Sequence, residues 1–390
     1  MIHARIRQDT GFVLENYLAI EAPDVPFYVF SQSALQQTAK RFQAGFNGLV
    51  TYAVKANDSD AVLRGLIEAG LHTFDVASVP EMHRVRACAP AAILHYNNPV
   101  RSHDEVAAAK ALGVRSFSVD CLDSLYRLGA LDADTEISVR LHLPIKGATY
   151  DFGAKFGACP QDAEDLLRLV AARGLRASMT FHPGTQCEDP AAWAGYVTEC
   201  AQIAKRAGVT LTRLNVGGGF PIQRASCAPD LEQVFDAVHD AAAEAFGEDA
   251  PALVCEPGRA MVAQAYTLAL RVKWRRSTDG ALFLNDGVYG ALAEARDIGL
   301  GTRLRWIGSD GKVKAGPTSR AIIFGPTCDS LDRIPEEVAV PNTVTDGDYL
   351  ILDGAGAYSL SLTTQFNGYG TTRVLESGAM QASGHWPRAG

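Results

Sequence analysis

Short apolar runs alternate with helix-like segments along the first two thirds of the chain. Runs of five to seven residues, rich in β-branched and aromatic side chains, predict buried strands at 26–30, 48–54, 72–76, 92–96, 116–120, 136–141, 176–181, 212–216 and 252–256. Apolar residues at helical spacing predict helices between them, for example at 60–70, 79–88, 102–113 and 160–174. About eight strand–helix units over roughly 230 residues predict a (β/α)8 TIM barrel, although an open doubly wound sheet has the same alternation.

The pattern changes after residue 259, where helical periodicity fades and short β-rich runs take over. These runs lie at 266–274, 281–284, 319–324, 349–353 and 371–375, with Asp-Gly turns between several of them. The first 25 or so residues show no helix pattern and are expected to join this region. We therefore expect a barrel domain at 26–260 and an all-β domain, a β-sandwich or β-barrel, formed by 1–25 and 261–390.

Composition narrows the class of protein. The formal net charge of −8, without acidic or basic blocks, disfavours a nucleic-acid or membrane partner. The eight cysteines include no Cys-x-x-Cys pair and no closely spaced histidine, so neither a zinc site nor a disulfide framework is indicated. No stretch approaches the ~18 apolar residues of a membrane span, and the N-terminus lacks a signal-peptide core. We expect a cytoplasmic protein without a metal.

Lys55 ends one of the predicted strands. At the end of a buried strand its ammonium would be desolvated, which lowers the pKa of an amine and suits Schiff-base chemistry with an aldehyde cofactor. The alternative is a lysine whose ammonium simply reaches solvent from the strand end.

Further candidates cluster at the C-terminal ends of strands, which form the catalytic face of a barrel. His182 leaves a strand where its ring could stack on a flat cofactor, and Thr185 could donate to a phosphate. Three glycines at 217–219 expose successive backbone N–H groups, a nest that suits a phosphate. They lack the spacing of a Walker loop or a dinucleotide fingerprint. A structural histidine and a tight turn without a ligand are the alternatives.

Two more stretches carry charged or nucleophilic groups. Glu256 ends a strand and Arg259 follows a Pro-Gly turn, which offers a carboxylate to a protonated ring nitrogen and a guanidinium to a phosphate. A mutual salt bridge is the alternative. In the β-domain, Cys328 and Asp329 follow a Gly-Pro turn and suit proton transfer or ammonium binding, although a buried thiol is usually inert.

Taken together, the motifs closely resemble those of the fold-type III pyridoxal-phosphate decarboxylases, and within them the ornithine and lysine decarboxylases. They occur in family order through nearly the whole chain, at 52–55, the His182 loop, 217–221, 256–259, 286–290, 325–329 and 366–368. The resemblance implies an alanine racemase-like fold, in which a (β/α)8 barrel carries pyridoxal 5'-phosphate and a β-domain follows. It also implies a head-to-tail homodimer with two shared active sites.

The resemblance implies roles for individual residues around the cofactor. Lys55 would hold it as a Schiff base, His182 would stack on its ring, and Glu256 would keep the ring nitrogen protonated, so that a quinonoid forms when carbon dioxide leaves. The phosphate would be held by Thr185, Gly218, Gly219, Arg259 and Tyr358. Asp75 and Glu81 match acidic positions near the cofactor.

Other residues would act on the substrate. Cys328 would donate the proton and Asp329 would bind the distal amine, both from the partner subunit, while Tyr289 and Phe366 would line the pocket. Many ornithine decarboxylases carry a second acidic residue, which helps bind the distal ammonium, where Ile298 stands here. Either Asp297, which precedes it, takes this role through a one-residue shift, or the distal group is not a simple ammonium and meets the nearby Arg296. Asp151 also stands where relatives often have an arginine.

These departures leave the substrate open. Decarboxylation of ornithine or lysine to the diamine, as in polyamine biosynthesis, is the first expectation. Alternatively, Arg296 could meet a distal carboxylate, as in a carboxylated polyamine or a citrate-conjugated diamino acid of siderophore synthesis. An amino-acid racemase is disfavoured because alanine racemases place an arginine at the ring nitrogen. A catalytically dead binding homologue is disfavoured because Lys55, Glu256, Arg259 and Cys328 are all present.

Overall fold

The computed structural model describes residues 13–144, 155–224 and 228–377. The strands are β1 (Phe27–Ser31), β2 (Leu49–Val50), β3 (Tyr52–Ala53), β4 (Thr73–Val76), β5 (Ile93–Tyr96), β6 (Ser116–Val119), β7 (Glu136–Arg140), β8 (Arg176–Thr180), β9 (Arg213–Asn215), β10 (Ala252–Cys255), β11 (Tyr266–Arg275), β12 (Leu282–Leu284), β13 (Leu304–Ile307), β14 (Thr318–Ala321), β15 (Ile323–Phe324), β16 (Val338–Pro341), β17 (Tyr349–Asp353) and β18 (Val374–Ser377). The helices are α1 (Leu14–Glu21), α2 (Gln32–Gly45), α3 (Asp60–Glu68), α4 (Val79–Cys88), α5 (His103–Ala111), α6 (Leu122–Tyr126), α7 (Pro160–Ala172), α8 (Pro190–Ala207), α9 (Leu231–Phe246), α10 (Arg259–Val262) and α11 (Ala295–Ile298).

One compact unit, Gln36–Met261, is a closed barrel of parallel strands. The strands β2 and β3 are halves of one strand: β2 pairs with β10, and β3 pairs with β4. At the interruption, the Thr51 amide donates to the Cys255 carbonyl oxygen over 2.9 Å, which closes the ring. The nine segments therefore make eight barrel strands, and a helix follows each from α3 to α10. The predicted (β/α)8 barrel is confirmed.

Local sequence signals set the helices around the barrel. Helix α5 begins with a capping box, in which the Ser102 hydroxyl accepts from the Glu105 amide and the Glu105 carboxylate accepts from the Ser102 amide. Helix α8 ends at Gly208, which adopts the left-handed conformation typical of a C-terminal cap. None of the described helices is both long and apolar enough to cross a bilayer.

The second compact unit, within 13–35 and 262–377, is built on a mostly antiparallel sheet in the order β13, β17, β11, β1, β18. The ten-residue β11 pairs with both β17 and β1, and it also pairs with β12. Leu14 and Leu18 of α1 pack with apolar residues of this sheet in one buried cluster. The predicted C-terminal β-domain is confirmed.

Two predicted elements differ in the structure. The run at 26–30 reads as a barrel strand, but β1 pairs with β11 and β18 in the second unit. All five of its residues are buried, so it has the uniformly apolar pattern of a barrel strand. The first residues were expected to lack a helix, yet α1 forms because Leu14 and Leu18, one turn apart, face the core. The predicted domain ranges, 26–260 and 1–25 with 261–390, stay a prediction.

Candidate active site

The barrel contains a cavity of about 170 Å³. Its lining includes five ionisable side chains that lie at or just beyond the C-terminal ends of barrel strands: Lys55, Asp75, Arg140, His182 and Glu256. Parallel strands bring these ends to one face of the barrel. Four of the five were predicted from the sequence as cofactor-binding residues, and the structure brings those four together around one space.

Lys55 lies on a 3-10 turn, Val54–Ala56, that directly follows β3. Its neighbours Val54 and Ala56 are buried, whereas its own side chain is exposed beside the cavity. The predicted desolvation of Lys55 is therefore wrong, because β3 ends at Ala53 and the turn directs the side chain out of the packed layer. The positive charge of Lys55 instead acts on its neighbours, since it lowers the pKa of Asp75, Glu256 and His182.

Glu256 is a buried carboxylate that follows β10. Two amide side chains, those of Asn97 and Asn215, donate to the same oxygen, Oε1. Burial raises the pKa of Glu256 to about 8, and the nearby Asp75 adds to the shift, while the Asn215 hydrogen bond and the charges of Lys55 and Arg140 oppose it. A cationic group in the cavity would therefore favour the ionised form of Glu256.

Two further carboxylates share this environment. Asp75 on β4 is buried, and its Oδ1 has no hydrogen-bond partner among the described residues. Burial raises the pKa of Asp75, whereas Lys55 and Arg140 lower it. Burial also raises the pKa of Glu81 to about 7, although the Ala77 amide donates to its Oε2 over 2.7 Å. The cavity lining thus has two carboxylates, Asp75 and Glu256, and two cations, Lys55 and Arg140, while burial favours the neutral form of both carboxylates.

His182 presents a neutral ring to the cavity. Burial lowers the pKa of its imidazole well below 6.5, and the charges of Lys55 and Arg140 lower it further. Its Nδ1 accepts from the Gly184 amide over 3.0 Å, so the proton is assigned to Nε2. A methyl group at Gly218 would lie 3.1 Å from Nε2, and bare backbone is therefore needed there for the glycine loop to approach the ring.

The two loops with the predicted phosphate-binding groups are fastened to each other. Gln186 donates from Nε2 to the Ile222 carbonyl oxygen over 2.5 Å and accepts from the Ile222 amide at Oε1 over 3.1 Å. The Cys187 amide donates to the Gly219 carbonyl oxygen over 2.9 Å. Thr185 is therefore held on a loop next to the glycines. Among the described residues, the Gly219 amide donates to no backbone acceptor, so it is available to bind an anion.

A second group of predicted residues lies in the β-unit. Tyr289 donates from its hydroxyl to Asp329 Oδ2 over 2.6 Å, and its ring lies 5.0 Å from the ring of Phe366. Cys328 is exposed, and its backbone amide donates to Asn367 Oδ1 over 3.1 Å. Hydrogen bonds from the Leu331 amide and from Tyr289 lower the pKa of Asp329, so this carboxylate is ionised at neutral pH.

Arg296 and Asp297, the two residues that leave the identity of the substrate open, lie in the same unit. Arg296 donates from Nε to Asp297 Oδ1 over 3.0 Å, and both side chains are largely exposed on α11. The hydrogen bond to Asp329 raises the pKa of Tyr289, and the positive charge of Arg296 weakly opposes this shift. Tyr358 adopts a left-handed backbone conformation with φ of 52°. Asp151 lies outside the described residues.

Four residues of the site were not predicted. Asn97 and Asn215 bind Glu256, Arg140 lines the cavity, and Gln186 joins the two loops. Arg140 and Asn215 are the last residues of β7 and β9, and Asn97 directly follows β5. Polar side chains at the ends of apolar strands were therefore a usable signal, whereas Gln186 was hidden inside a loop.

Sequence and structure comparisons place this site in a known family. The profile of the family described as "Pyridoxal-dependent decarboxylase, pyridoxal binding domain" matches residues 32–263. The chain belongs to this family. This pyridoxal-dependent decarboxylase is 29% identical to the ornithine decarboxylase of Schizosaccharomyces pombe over 346 residues, which cover 83% of this chain and 76% of the relative. It is 30% identical to ornithine decarboxylase 2 of Drosophila melanogaster over 336 residues, 82% of each chain.

Solved structures of decarboxylases share the fold of this pyridoxal-dependent decarboxylase. The lysine/ornithine decarboxylase of Vibrio vulnificus, complexed with cadaverine, has a TM-score of 0.78 and 25% identity over 90% of this chain and 94% of that chain. The arginine decarboxylase of Paramecium bursaria Chlorella virus, bound to agmatine, has a TM-score of 0.81 and 25% identity over 93% and 99%. SrLDC, in complex with PLP and cadaverine, has a TM-score of 0.80 and 26% identity over 94% and 95%.

Pyridoxal phosphate is therefore the cofactor of this decarboxylase. The cavity fits it chemically. An exposed amine, Lys55, faces the same space as a neutral flat ring, His182, and a buried carboxylate, Glu256. The unpartnered oxygen of Asp75 also points to a ligand that supplies a donor or a positive charge.

Proposed function

We propose that this enzyme decarboxylates a basic L-amino acid, ornithine or lysine, to the corresponding diamine. The observation that carries the choice of a basic substrate is Asp329, an ionised carboxylate that Tyr289 holds by a 2.6 Å hydrogen bond. A distal ammonium and a fixed carboxylate form a charge-assisted hydrogen bond. The decarboxylases of lysine, ornithine and arginine that share the fold support a basic substrate.

Each predicted site residue has a proposed role. Lys55 supplies the amine that anchors the cofactor, His182 supports one face of the ring, and Glu256 accepts a hydrogen bond from the protonated ring nitrogen. Thr185, Gly218, Gly219, Arg259 and Tyr358 hold the phosphate. Bound pyridoxal phosphate supplies an aldehyde and an electron-withdrawing ring that accepts the electron pair of the breaking carbon–carbon bond. Cys328 delivers a proton to the product carbon.

We further propose a cytoplasmic homodimer in which two chains share each active site. Cys328 and Asp329 belong to the β-unit, whereas Lys55 and Glu256 belong to the barrel. The exposed position of Cys328 suits a proton donor that serves the barrel of a partner subunit. Seven cysteines of the described part of the chain are free thiols, which supports a reducing compartment.

Release of labelled carbon dioxide from ornithine, lysine and arginine tests the proposal, with racemised substrate measured in the same samples. Turnover of ornithine or lysine at least tenfold faster than of arginine is expected. Inertness of all three amino acids in holoenzyme would overturn the basic substrate.

Arg296 favours a second candidate substrate. Its positive charge acts on Tyr289, the residue that holds Asp329, so a substrate with a distal carboxylate, such as a citrate-conjugated diamino acid, would have a cationic partner in this part of the β-unit. Adding such a conjugate and a carboxylated polyamine to the panel separates the candidates. Arg296→Ala should leave ornithine turnover intact under the first proposal, and should abolish turnover of the conjugate under the second.

A further inference from the structure

We propose that Asn97 and Asn215 are positioning residues that together hold one oxygen of Glu256 and so reserve the other oxygen for the cofactor's ring nitrogen. This inference rests on the proposed role of Glu256. Both side-chain amides donate to Oε1. Among the described residues, no side chain donates to Oε2, and Glu256 lines the cavity. Two donors on one oxygen fix the plane of the carboxylate more firmly than one donor does.

The orientation of Asn215 is determined by a backbone donor. Its Oδ1 accepts from the Gly217 amide over 2.9 Å, and only the oxygen of a side-chain amide can accept. Its Nδ2 must therefore face Glu256. The Glu256 amide in turn donates to the Gly217 carbonyl oxygen over 2.8 Å. Asn215 thus connects the glycine loop at the predicted phosphate end of the site to the carboxylate at the ring-nitrogen end.

Asn97 connects Glu256 to the second buried carboxylate. Besides its bond to Glu256, Asn97 lies close enough to Asp75 to oppose the rise in pKa that burial imposes on that carboxyl. Asp75 and Glu256 are like charges that disfavour each other's ionisation. An amide that donates to Glu256 beside Asp75 reduces this repulsion without adding a charge. The charged groups facing Glu256 are then Asp75, Lys55 and Arg140.

Two substitutions separate the functions of these amides. Asn215→Asp keeps the oxygen that accepts from Gly217 but replaces the donor to Glu256 with an acceptor. Asn97→Ala removes the other donor. The matched control is Asn285→Ala, because Asn285 does not line the cavity and its side-chain amide donates to the Asp24 carbonyl oxygen over 2.8 Å and not to a carboxylate.

The first measurement is the dissociation constant of pyridoxal phosphate from each protein, read from cofactor absorbance. A hydrogen bond to a charged group contributes enough for Asn97→Ala and Asn215→Asp each to raise this constant roughly tenfold to hundredfold. Asn285→Ala should change it by less than about threefold, because the substitution removes no bond to a carboxylate and no residue of the cavity lining. Circular dichroism checks the fold of each variant, and if one does not fold the other still decides the question.

The second measurement asks whether the amides act through Glu256. In a Glu256→Gln background the charge is gone, so Asn97→Ala should raise the dissociation constant by less than about threefold. The proposal is overturned if Asn97→Ala weakens binding equally in both backgrounds, or if neither variant differs from Asn285→Ala. A different result, the absence of cofactor binding by the wild-type protein, would contradict the proposed function. In that case the pH dependence of unfolding of the apo variants still tests the amides, since losing a donor should extend the fall in stability to higher pH.

Discussion

Buried carboxylates and a neutral histidine give the cavity an unusual protonation state when the cofactor is absent. Glu256 binds a proton with a pKa of about 8 in the fold, compared with an ordinary value of 4.5. The fold therefore binds more protons than the unfolded chain between these two pH values. Stability that depends on the protonated carboxyl is fully present below about pH 4.5 and is lost as the pH rises through about 8.

This protonation predicts how apo-protein stability depends on pH. We expect the free energy of unfolding in urea to fall across this window, by about 1.4 kcal/mol for every pH unit by which the fold raises the pKa. Glu256→Gln should flatten the fall, because an amide does not titrate. The difference between the two curves reports the titration of Glu256 together with its effect on the ionisation of Asp75. Parallel curves for wild type and variant would contradict the raised pKa.

Lys55 should be the attachment point of the cofactor. Borohydride reduction followed by peptide mass spectrometry should find the cofactor on Lys55, and Lys55→Ala should lower turnover by roughly 10³-fold or more. Lys155→Ala is the matched control, since Lys155 is also exposed and its ammonium lies 5.0 Å from the ring of Phe156, which lines the cavity. Label on another lysine would contradict the assignment.

The sequence allowed the reactive side chains to be predicted more readily than their environment. Lys55, His182 and Glu256 end apolar runs and belong to ordered motifs, so their convergence could be expected from barrel topology. The two amides on Glu256 could not, because asparagine after a strand is equally typical of a turn. The exposure of Lys55 depends on a single 3-10 turn, which no spacing rule predicts.

Two loops between barrel strands and helices form the proposed phosphate end of the site. Gln186 adopts a left-handed backbone conformation with φ of 52°, which its hydrogen bonds to Ile222 stabilise. Gly219 has φ of +85°, and a methyl group there would lie 2.5 Å from the Gly184 carbonyl oxygen. The close packing of the two loops therefore depends both on the left-handed backbone of Gln186 and on the absence of a side chain at Gly219.

Gly219→Ala should separate steric from conformational effects. The substitution imposes left-handed strain of about 1–2 kcal/mol and also forces the two loops apart, so cofactor affinity should fall by at least about tenfold. Gly208→Ala is the control, because Gly208 has φ of +67° but nothing within 4 Å of the added methyl group. It should lower the melting temperature and leave the dissociation constant of the cofactor unchanged. Equal loss of affinity in both variants would contradict the packing argument.

At the scale of strands and helices, alternation predicted the barrel elements but not the sheet to which each strand belongs. β1 precedes the barrel in the chain and has the same apolar pattern, yet it pairs with β11 and β18. The reason is that a strand buried on both faces has the same uniformly apolar sequence in either sheet. Pairing across more than 230 residues, as between Phe27 and Ala269, leaves no local signal.

On the scale of the whole molecule, the proposed chemistry requires residues from two units. Lys55, His182 and Glu256 line the barrel cavity, while Cys328 and Asp329 lie in the β-unit. The proposed shared site assigns the second group to the partner subunit. The resemblance to known decarboxylases led to this assignment, since the order of motifs along a chain does not indicate which copy supplies them.

Mixing two inactive variants tests the shared site directly. Lys55→Ala removes the amine of one barrel, and Cys328→Ala removes the proton donor. General-acid catalysis typically contributes about 10²–10⁴-fold to the rate. If subunits exchange freely, half of the dimers are mixed and each has one intact site, so about one quarter of wild-type activity should return.

The control is a mixture of Lys55→Ala and Glu256→Gln. Both changes lie in the barrel, so each proposed site in a mixed dimer carries one of them and none is intact. Sedimentation velocity should report dimers in every sample. If Cys328 instead serves the barrel of its own chain, each site in a mixed dimer carries one of the two changes and no intact site forms. Recovery no greater than in the control would therefore contradict the shared site.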